Sequence, residues 1–328
     1  MKTHPYHLLL GAGFSKNFGG LLASELWATI FNQREIQKFP GVRERMLQTP
    51  SYEDLFHDLV VKRPASDPER QAFQKALLAG LNMLDESIAR LSFQHRIDYG
   101  VMNKQFITRF CGKDDGHPGF IFTLNQDLFF ERHYKESPEP NLPGLRRHVF
   151  SQTHFKDPYG VPLKDPDDLL ILPTADDLKG HAIQDAVGNF ALIKLQGAVN
   201  FRSARDPQRP VIGHGSSAEV GNEPLLQAYF DLFQEVLSSG GAKLLVIGYS
   251  FQNPRINAVL LEQMQARRLE VFVINPVDPW WSRQVYQAGI FDGLSAYFPY
   301  DLYDVFMRNR SGDTVAWKEI KKQFFETA

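Results

Sequence analysis

The sequence predicts an α/β protein built on one doubly wound, Rossmann-like parallel sheet, and three observations support this fold class. Short apolar runs of strand length alternate with segments of helical periodicity along the 328 residues. Several of these runs are hydrophobic at every position, which is typical of strands buried on both faces. The runs end in glycine or short polar residues, the pattern found where parallel sheets bind their ligands.

The first strand and the turn after it carry the motif around which the remaining elements are organised. The apolar run Tyr6–Leu10 leads directly into Gly11-Ala12-Gly13-Phe14-Ser15 and then into a helical pattern. Glycines let the backbone approach an anion closely, and the start of a helix favours negative charge. The turn is therefore predicted to bind phosphate. Lys16 occupies the place of the third glycine of a dehydrogenase fingerprint, so hydride transfer is disfavoured.

The chain is predicted to form a single domain over residues 1–328, with two long departures from the strand-helix alternation. Its parts are expected at these approximate positions: a helical insertion at 40–118, a loop-rich excursion at 136–188 with short strands near 148–150 and 169–172, and C-terminal packing helices at 299–328.

The composition excludes several classes of protein. With 43% hydrophobic residues, 23% charged residues and a formal net charge of -2, the chain has no overall attraction for nucleic acid or membranes. Its single cysteine, Cys111, excludes disulfides and cysteine-rich zinc sites within the chain, and no metal is expected. No signal segment or run of eighteen apolar residues is found, so a cytoplasmic location is expected.

Four later strands also end in residues suited to ligand binding. These ends are Asn125 and Asp127 after 119–123, Gln196 and Gly197 after 190–195, Gly248, Ser250 and Phe251 after 243–247, and Asn275 after 271–274. Parallel strands share one carboxyl edge, so we expect these residues and the first glycine turn to converge on one ligand, a nucleotide. For Asn125 a plain helix N-cap is the alternative interpretation.

The ordered set of motifs resembles the sirtuin superfamily, and is most similar to the bacterial sirtuin-like NAD hydrolases of antiviral defence systems. The matching blocks run from residue 8 to about 276 and are Gly11-Ala12-Gly13-Phe14-Ser15, Thr123-Leu124-Asn125-Gln126-Asp127, Lys194-Leu195-Gln196-Gly197, Ile247-Gly248-Tyr249-Ser250-Phe251 with Ile256-Asn257, and Ile274-Asn275-Pro276.

This resemblance implies NAD as substrate, cleaved to ADP-ribose and nicotinamide in an abortive-infection response. The implied contacts are Gly11, Ala12, Gly13, Phe14 and Ser15 with the phosphates, Gly248, Ser250, Phe251 and Asn275 with the adenosine half, and Asn125 and Asp127 with the nicotinamide ribose. Such effectors stay silent until triggered, so the resemblance implies homo-oligomers or a partner such as a HerA-type ATPase or a short Argonaute.

The chain departs from the family pattern at Gln196, where the family has the histidine that serves as general base. A glutamine amide cannot accept a proton near neutral pH. The chain is thus naturally inactive, an engineered catalytic variant, or dependent on another group. His214 in the loop 211–216 is the candidate for that group, although a loop histidine is more often merely solvated.

Two other functions compete with NAD hydrolysis. Protein-deacetylating sirtuins carry a four-cysteine zinc module, which Cys111 alone cannot build, so deacetylation and related acyl transfer are disfavoured. A non-catalytic sensor of NAD or ADP-ribose, or a structural subunit of a defence complex, is the stronger alternative, and Gln196 is its best support.

Overall fold

The structure is a computed structural model of the chain. It describes residues 3–89, 97, 102–112, 116–134, 140–145, 169–178, 190–213, 223–285, 288–307 and 312–326. The strand expected near 148–150, the candidate base His214 and most of the excursion at 136–188 lie outside the described residues.

Seven strands form one sheet in which every hydrogen-bonded pair is parallel, and this confirms the predicted fold class. The strands, in chain order, are β1 Tyr6–Leu10, β2 Gly119–Thr123, β3 Pro140–Asn141, β4 Leu170–Ile171, β5 Phe190–Lys194, β6 Gly197–Ser203, β7 Asp206–Ile212, β8 Ala242–Ile247, β9 Leu269–Ile274 and β10 Ala296–Phe298. The large sheet has the order β10-β9-β8-β1-β2-β5-β3. After β1, the chain adds β2, β3 and β5 on one side of that strand and then β8, β9 and β10 on its other side. The strand order therefore reverses between β1 and β8, which is the switch point of the sheet.

The helices flank this sheet. They are α1 Ala12–Lys16, α2 Ala23–Phe31, α3 Arg34–Gln37, α4 Pro40–Gln48, α5 Tyr52–Phe56, α6 Pro68–Ala89, α7 Phe129–His133, α8 Ala175–Leu178, α9 Pro224–Ser238, α10 Pro254–Gln265, α11 Pro279–Val285, α12 Ala288–Phe291, α13 Leu302–Phe306 and α14 Val315–Ile320. Short π or 3-10 turns occur at His57–Val61, Met102–Phe106, Ile107–Phe110 and Lys321–Phe325.

The longest helix of the helical insertion, α6, contacts α2 and β7. Gly80 on this helix lets α2 approach closely, because a Cβ there would lie 3.0 Å from the Ile30 side chain. Arg70, also on α6, forms an ion pair of 2.7 Å with Asp206 of β7. The insertion is thus attached both to the first helices of the chain and to the hairpin beyond β5.

A second sheet, which the sequence reading did not predict, lies beyond β5. It has three strands in the order β4-β6-β7, with β6 and β7 antiparallel. All seven residues of β6 are buried, so the sequence does not show the period of two that marks a hairpin. Pro207 and Pro210 in β7 further obscure the strand pattern, since proline is normally a signal against a strand.

Two helices, α1 and α2, follow β1 and are separated by a glycine turn. Gly19 has a φ of 83°, a left-handed conformation that ends the first helix. A Cβ on Gly20 would lie 2.7 Å from the carbonyl oxygen of Ser15, so this turn folds tightly back on α1. The short α1 therefore stays next to the end of β1.

His7 lies inside the sheet, and neither of its ring nitrogens has a hydrogen bond to a described residue. Its ring packs against Phe120 and Phe122, with centroid distances of 6.1 and 6.5 Å. Burial, with a smaller contribution from His4, lowers the pKa of His7 from 6.5 to about 3. The folded protein therefore holds this imidazole in its neutral form.

We expect His7 to make the protein less stable in mild acid. Below pH 6.5 the unfolded chain binds a proton at His7 and the folded chain does not. Protonation of His7 therefore costs no stability above pH 6.5, and it lowers the free energy of unfolding as the pH drops toward 3. The slope is about 1.4 kcal/mol per pH unit for one such group. Urea unfolding at pH 7 and pH 5 should show a loss of about 2 kcal/mol that the variant His7→Leu does not show. Equal losses in both proteins would contradict this assignment.

Candidate functional site

The sheet brings the five predicted strand ends to one edge. Asn275, Gly248, Gly11, Asn125 and Gln196 follow β9, β8, β1, β2 and β5, which are consecutive neighbours in the parallel sheet. With strands about 4.8 Å apart, this row of residues extends over roughly 19 Å. The carboxyl edge of a parallel sheet is where α/β proteins bind ligands, and the row includes the switch point between β1 and β8.

The glycine turn after β1 packs directly on the turn after β8. The Gly11 amide donates to Ile247 O and the Gly13 amide to Gly248 O, both at 2.9 Å. A Cβ on Gly13 would lie 2.7 Å from the Cα of Gly248, so only glycine fits. These two amides are thus used within the chain. The Ala12 amide has no acceptor among the described residues and stays available for an anion.

Residue 248, in the turn after β8, must also be glycine. Its φ is 65°, and a Cβ would lie 2.3 Å from the amide nitrogen of Phe14. The Phe14 ring is buried between Phe129 and Phe130, at centroid distances of 5.1 and 6.0 Å. Of the residues predicted to bind the phosphates, Phe14 therefore contributes its side chain to the core and only its backbone to the edge.

Ser15, Asn125 and Asp127 form one buried hydrogen-bonded cluster beside the glycine turn. The Ser15 hydroxyl donates to Asp127 Oδ2 at 2.6 Å and accepts from Asn125 Nδ2 at 2.8 Å. Asn125 Nδ2 also donates to the carbonyl oxygen of Gly11 at 3.0 Å. A carbonyl can only accept, so the orientation of the amide is fixed. Asn125 Oδ1 accepts no hydrogen bond from any described residue, and it is the group that this cluster can offer to a ligand.

Asp127 orders the loop that carries Asn125. Its Oδ1 accepts the Phe129 amide at 3.0 Å, while Oδ2 is occupied by Ser15. Burial raises the pKa of Asp127, and the nearby Lys194 ammonium opposes that shift. Asp127 therefore lies just before the start of α7, in the same hydrogen-bonded cluster as Asn125.

Lys194 also stabilises the loop that carries Asn125 and Asp127, a role that the sequence did not indicate. Its ammonium donates to the carbonyl oxygen of Asp127 at 2.6 Å and pairs with Glu131 at 3.1 Å. Both side chains of the pair are 2% exposed, and burial raises the pKa of Glu131 against the effect of Lys194. The signal in the sequence was a lysine that ends the otherwise apolar run of β5.

Gln196 lies at the neighbouring strand end and is partly exposed. Its carbonyl oxygen accepts the Gly213 amide at 2.9 Å, and Gly197 turns the chain with a φ of 79°. The side-chain amide of Gln196 makes no hydrogen bond with a described residue. It can hydrogen-bond a ligand, but it has no group that takes up a proton near neutral pH.

Asn257 fixes the conformation of the predicted adenosine-binding turn. Its Oδ1 accepts the Tyr249 hydroxyl at 2.8 Å, and its Nδ2 donates to the carbonyl oxygen of Phe251 at 2.6 Å. This contact stabilises Phe251 at a φ of 54°, which a non-glycine residue rarely adopts. Ser250 lies between the two aromatic residues and remains partly exposed.

Asn275 uses part of its side chain within its own turn. Its Oδ1 accepts the Val277 amide at 3.1 Å, and its backbone amide donates to Phe298 O at 3.1 Å. The side-chain nitrogen has no hydrogen-bond partner among the described residues. One end of this amide therefore shapes the turn, and the other end can reach a ligand.

Tyr52 of the helical insertion contacts the loop between Asn125 and Asp127. The Tyr52 hydroxyl donates to Gln126 Oε1 at 2.7 Å, and the Gln126 carbonyl accepts the Val199 amide at 2.7 Å. Gln126 Nε2 is buried and has no hydrogen-bond partner in the described ranges. The insertion, the loop after β2 and the second sheet thus meet at Gln126, which sequence reasoning did not identify.

Over the described ranges, no group of three or more His, Cys, Asp or Glu residues could hold a metal ion. None of the helices in that part of the chain is both long and apolar enough to cross a membrane. No protein-family model matches the sequence, and a comparison with curated proteins gives no match.

Proposed function

We propose that the carboxyl edge of this sheet binds NAD and that the protein hydrolyses it to ADP-ribose and nicotinamide. The observation that carries the proposal is Asn125, whose Nδ2 is fixed by Gly11 and Ser15 and whose Oδ1 has no partner among the described residues. Support also comes from the five strand ends along one edge and from the resemblance of their motifs to the sirtuin superfamily.

The described residues suit the parts of a dinucleotide. The free Ala12 amide next to the glycine turn would face a phosphate. Ser250 and the free nitrogen of Asn275 would contact the adenosine half, on the side of β8 and β9. The nicotinamide ribose would then lie over β2 and β5, next to Asn125 and Gln196.

The reaction suits the chemistry of the cluster. Breaking the bond between nicotinamide and ribose gives the ribose carbon a developing positive charge, which nearby negative charge stabilises. Asn125 Oδ1 would accept a hydrogen bond from the attacking water and orient it. Asp127 would stabilise the positive charge and keep the loop in place.

By the same resemblance, the biological role would be that of an effector in a bacterial anti-phage system. Such an enzyme would act in the cytoplasm as a homo-oligomer, or together with a partner such as a HerA-type ATPase or a short Argonaute. Contact with membranes and direct binding of nucleic acid are not part of this proposal.

A second candidate function is a non-catalytic module that binds NAD or ADP-ribose as a sensor or structural subunit. Gln196 favours it, because a glutamine stands where the related enzymes have their general base. Both candidates place NAD at the same edge of the sheet. They differ in whether nicotinamide is released.

Nicotinamide release and NAD binding, measured on the same preparations, test these candidates. We expect the wild-type chain to bind NAD and to release nicotinamide. Nicotinamide release by the variant Gln196→His, but not by the wild type, would indicate an enzyme disabled at residue 196. The rate of release should then be about a hundredfold or more higher in the variant. NAD binding without release in either protein would support the binding module, and an absence of binding in both would refute both candidates.

A further inference from the structure

The loop that carries Asn125 and Asp127 is the β2–α7 loop, residues 124–128, and it belongs to neither a strand nor a helix. Its conformation therefore depends on contacts with the elements around it. The side chains of Asn125 and Asp127 are anchored on α1 and α7 by hydrogen bonds. The position of the loop between these two anchors depends on the residue that separates them, Gln126.

Gln126 is held by two different parts of the chain. Its carbonyl oxygen accepts the Val199 amide at 2.7 Å, and its side-chain Oε1 accepts the Tyr52 hydroxyl, also at 2.7 Å. Tyr52 and Gln126 are each only 4% exposed, so water competes little with the hydrogen bond between them. This bond joins the helical insertion to the middle of the β2–α7 loop and limits the movement of the loop there.

The Tyr52 hydroxyl comes from a well-fixed helix start. Tyr52 is the first residue of α5, and the N-cap residue Ser51 accepts the Asp54 amide at 3.0 Å. The buried side chains of Leu55 and Phe56 hold the same helix in the core. Burial also raises the pKa of the Tyr52 hydroxyl well above its usual value, so the group stays protonated and remains a donor.

The insertion also contacts the far end of the β2–α7 loop. Asp85 of α6 accepts the Leu128 amide at 3.2 Å and pairs with Arg132 of α7. Asp85 belongs to a buried ion pair, so its replacement would destabilise the fold as well as the loop. Tyr52 can lose its hydroxyl alone, and its effect on the loop can therefore be separated from its contribution to the core.

We propose that Tyr52 is a positioning residue of the hydrolysis, which holds the β2–α7 loop so that Asn125 and Asp127 keep their places beside the ribose. This inference rests on the proposed function. In this role Tyr52 touches neither the substrate nor the attacking water, and it acts through its hydrogen bond to Gln126. A displacement of about 1 Å at the reacting groups can lower a rate about a hundredfold, because the geometry of the attack is lost.

The test compares nicotinamide release and NAD binding by the full chain with those of Tyr52→Phe, which keeps the buried ring and removes only the hydroxyl. We expect kcat to fall by about tenfold to a hundredfold, while Kd for NAD stays close to wild type. The matched control is Tyr6→Phe. It removes a hydroxyl that donates to the Phe325 carbonyl at 3.0 Å, at the end of β1 opposite the glycine turn, and should leave kcat unchanged.

A double-mutant cycle shows whether Tyr52 acts through Gln126. Gln126→Met removes the acceptor of the hydrogen bond and should lower kcat by about the same factor as Tyr52→Phe. Tyr52→Phe added to Gln126→Met should then lower kcat no further, because the bond is already lost. A purely structural role of the Tyr52 hydroxyl would not give this pattern, and losses that multiply in the double variant would overturn the proposal.

A folded Tyr52→Phe protein with the kcat of the wild type would also overturn the proposal and leave NAD hydrolysis standing. The same would follow from an equal loss of kcat in Tyr6→Phe. If the wild-type chain binds NAD but releases no nicotinamide, hydrolysis itself is refuted, and the positioning role with it. Should Tyr52→Phe fail to fold, Gln126→Met alone provides the second test, and an unchanged kcat in that variant would count against the proposal.

Discussion

Replacement of Asn125 by alanine is expected to lower nicotinamide release by at least about a hundredfold, the usual effect of losing a preorganised hydrogen-bonding group that acts in the transition state. Asn125 Oδ1 accepts no hydrogen bond within the part of the chain that the structure describes, and alanine offers no group that could orient the water. The measurement is kcat, with Kd for NAD determined in parallel. We expect kcat to change far more than Kd.

The same substitution also has a structural cost that must be separated from the chemistry. Alanine leaves the Gly11 carbonyl and the Ser15 hydroxyl without the donor that Asn125 Nδ2 provides, which costs about 1 to 3 kcal/mol of stability. Rates should therefore be compared well below the unfolding temperature of the variant. Asn32→Ala, at an exposed asparagine after α2, is the matched control. Unchanged release by a folded Asn125→Ala protein would contradict the catalytic role.

Replacement of Lys194 by methionine should produce the largest loss of stability among these variants. It leaves the Glu131 carboxylate buried without its cation and removes the donor to the Asp127 carbonyl. Breaking a buried ion pair in this way typically costs about 3 to 5 kcal/mol. The loss should be smaller at low pH, because burial favours the protonated form of Glu131. Urea unfolding at pH 5 and pH 8 measures both effects.

Two further variants show whether the loss comes from the unpaired charge. Adding Glu131→Gln to Lys194→Met should recover much of the lost free energy of unfolding, since no buried charge then remains. Lys75→Met removes a lysine whose side chain is 73% exposed in its pair with Glu35, and should cost at most about 1 kcal/mol. Equal losses for Lys75→Met and Lys194→Met would contradict this explanation.

Much of the fold follows from local patterns in the sequence. Residues 244–247 of β8 and 271–274 of β9 are continuous apolar runs, and such runs that alternate with helices along a chain are typical of parallel sheets. Because parallel strands share a carboxyl edge, the positions of Gly248 and Asn275 along that edge followed from topology alone. Their roles toward a ligand remain predictions.

The parts that the sequence did not reveal depend on contacts between distant segments. Tyr52 donates a hydrogen bond to Gln126, and no periodicity predicts that a residue of the insertion reaches the loop after β2. The pairing of Lys194 with Glu131 is hidden for the same reason, because each charged residue alone is typical of a solvated surface. Only the packing of β5 against the loop and α7 shows that both are buried.

The most direct test of the central claim is a crystal structure of the chain with bound NAD, or with a non-hydrolysable analogue. The account predicts the dinucleotide along the carboxyl edge of the sheet, with a phosphate at the Ala12 amide and the nicotinamide ribose within hydrogen-bond distance of Asn125. A dinucleotide bound elsewhere on the molecule, with no contact to the glycine turn or to Asn125, would contradict the account.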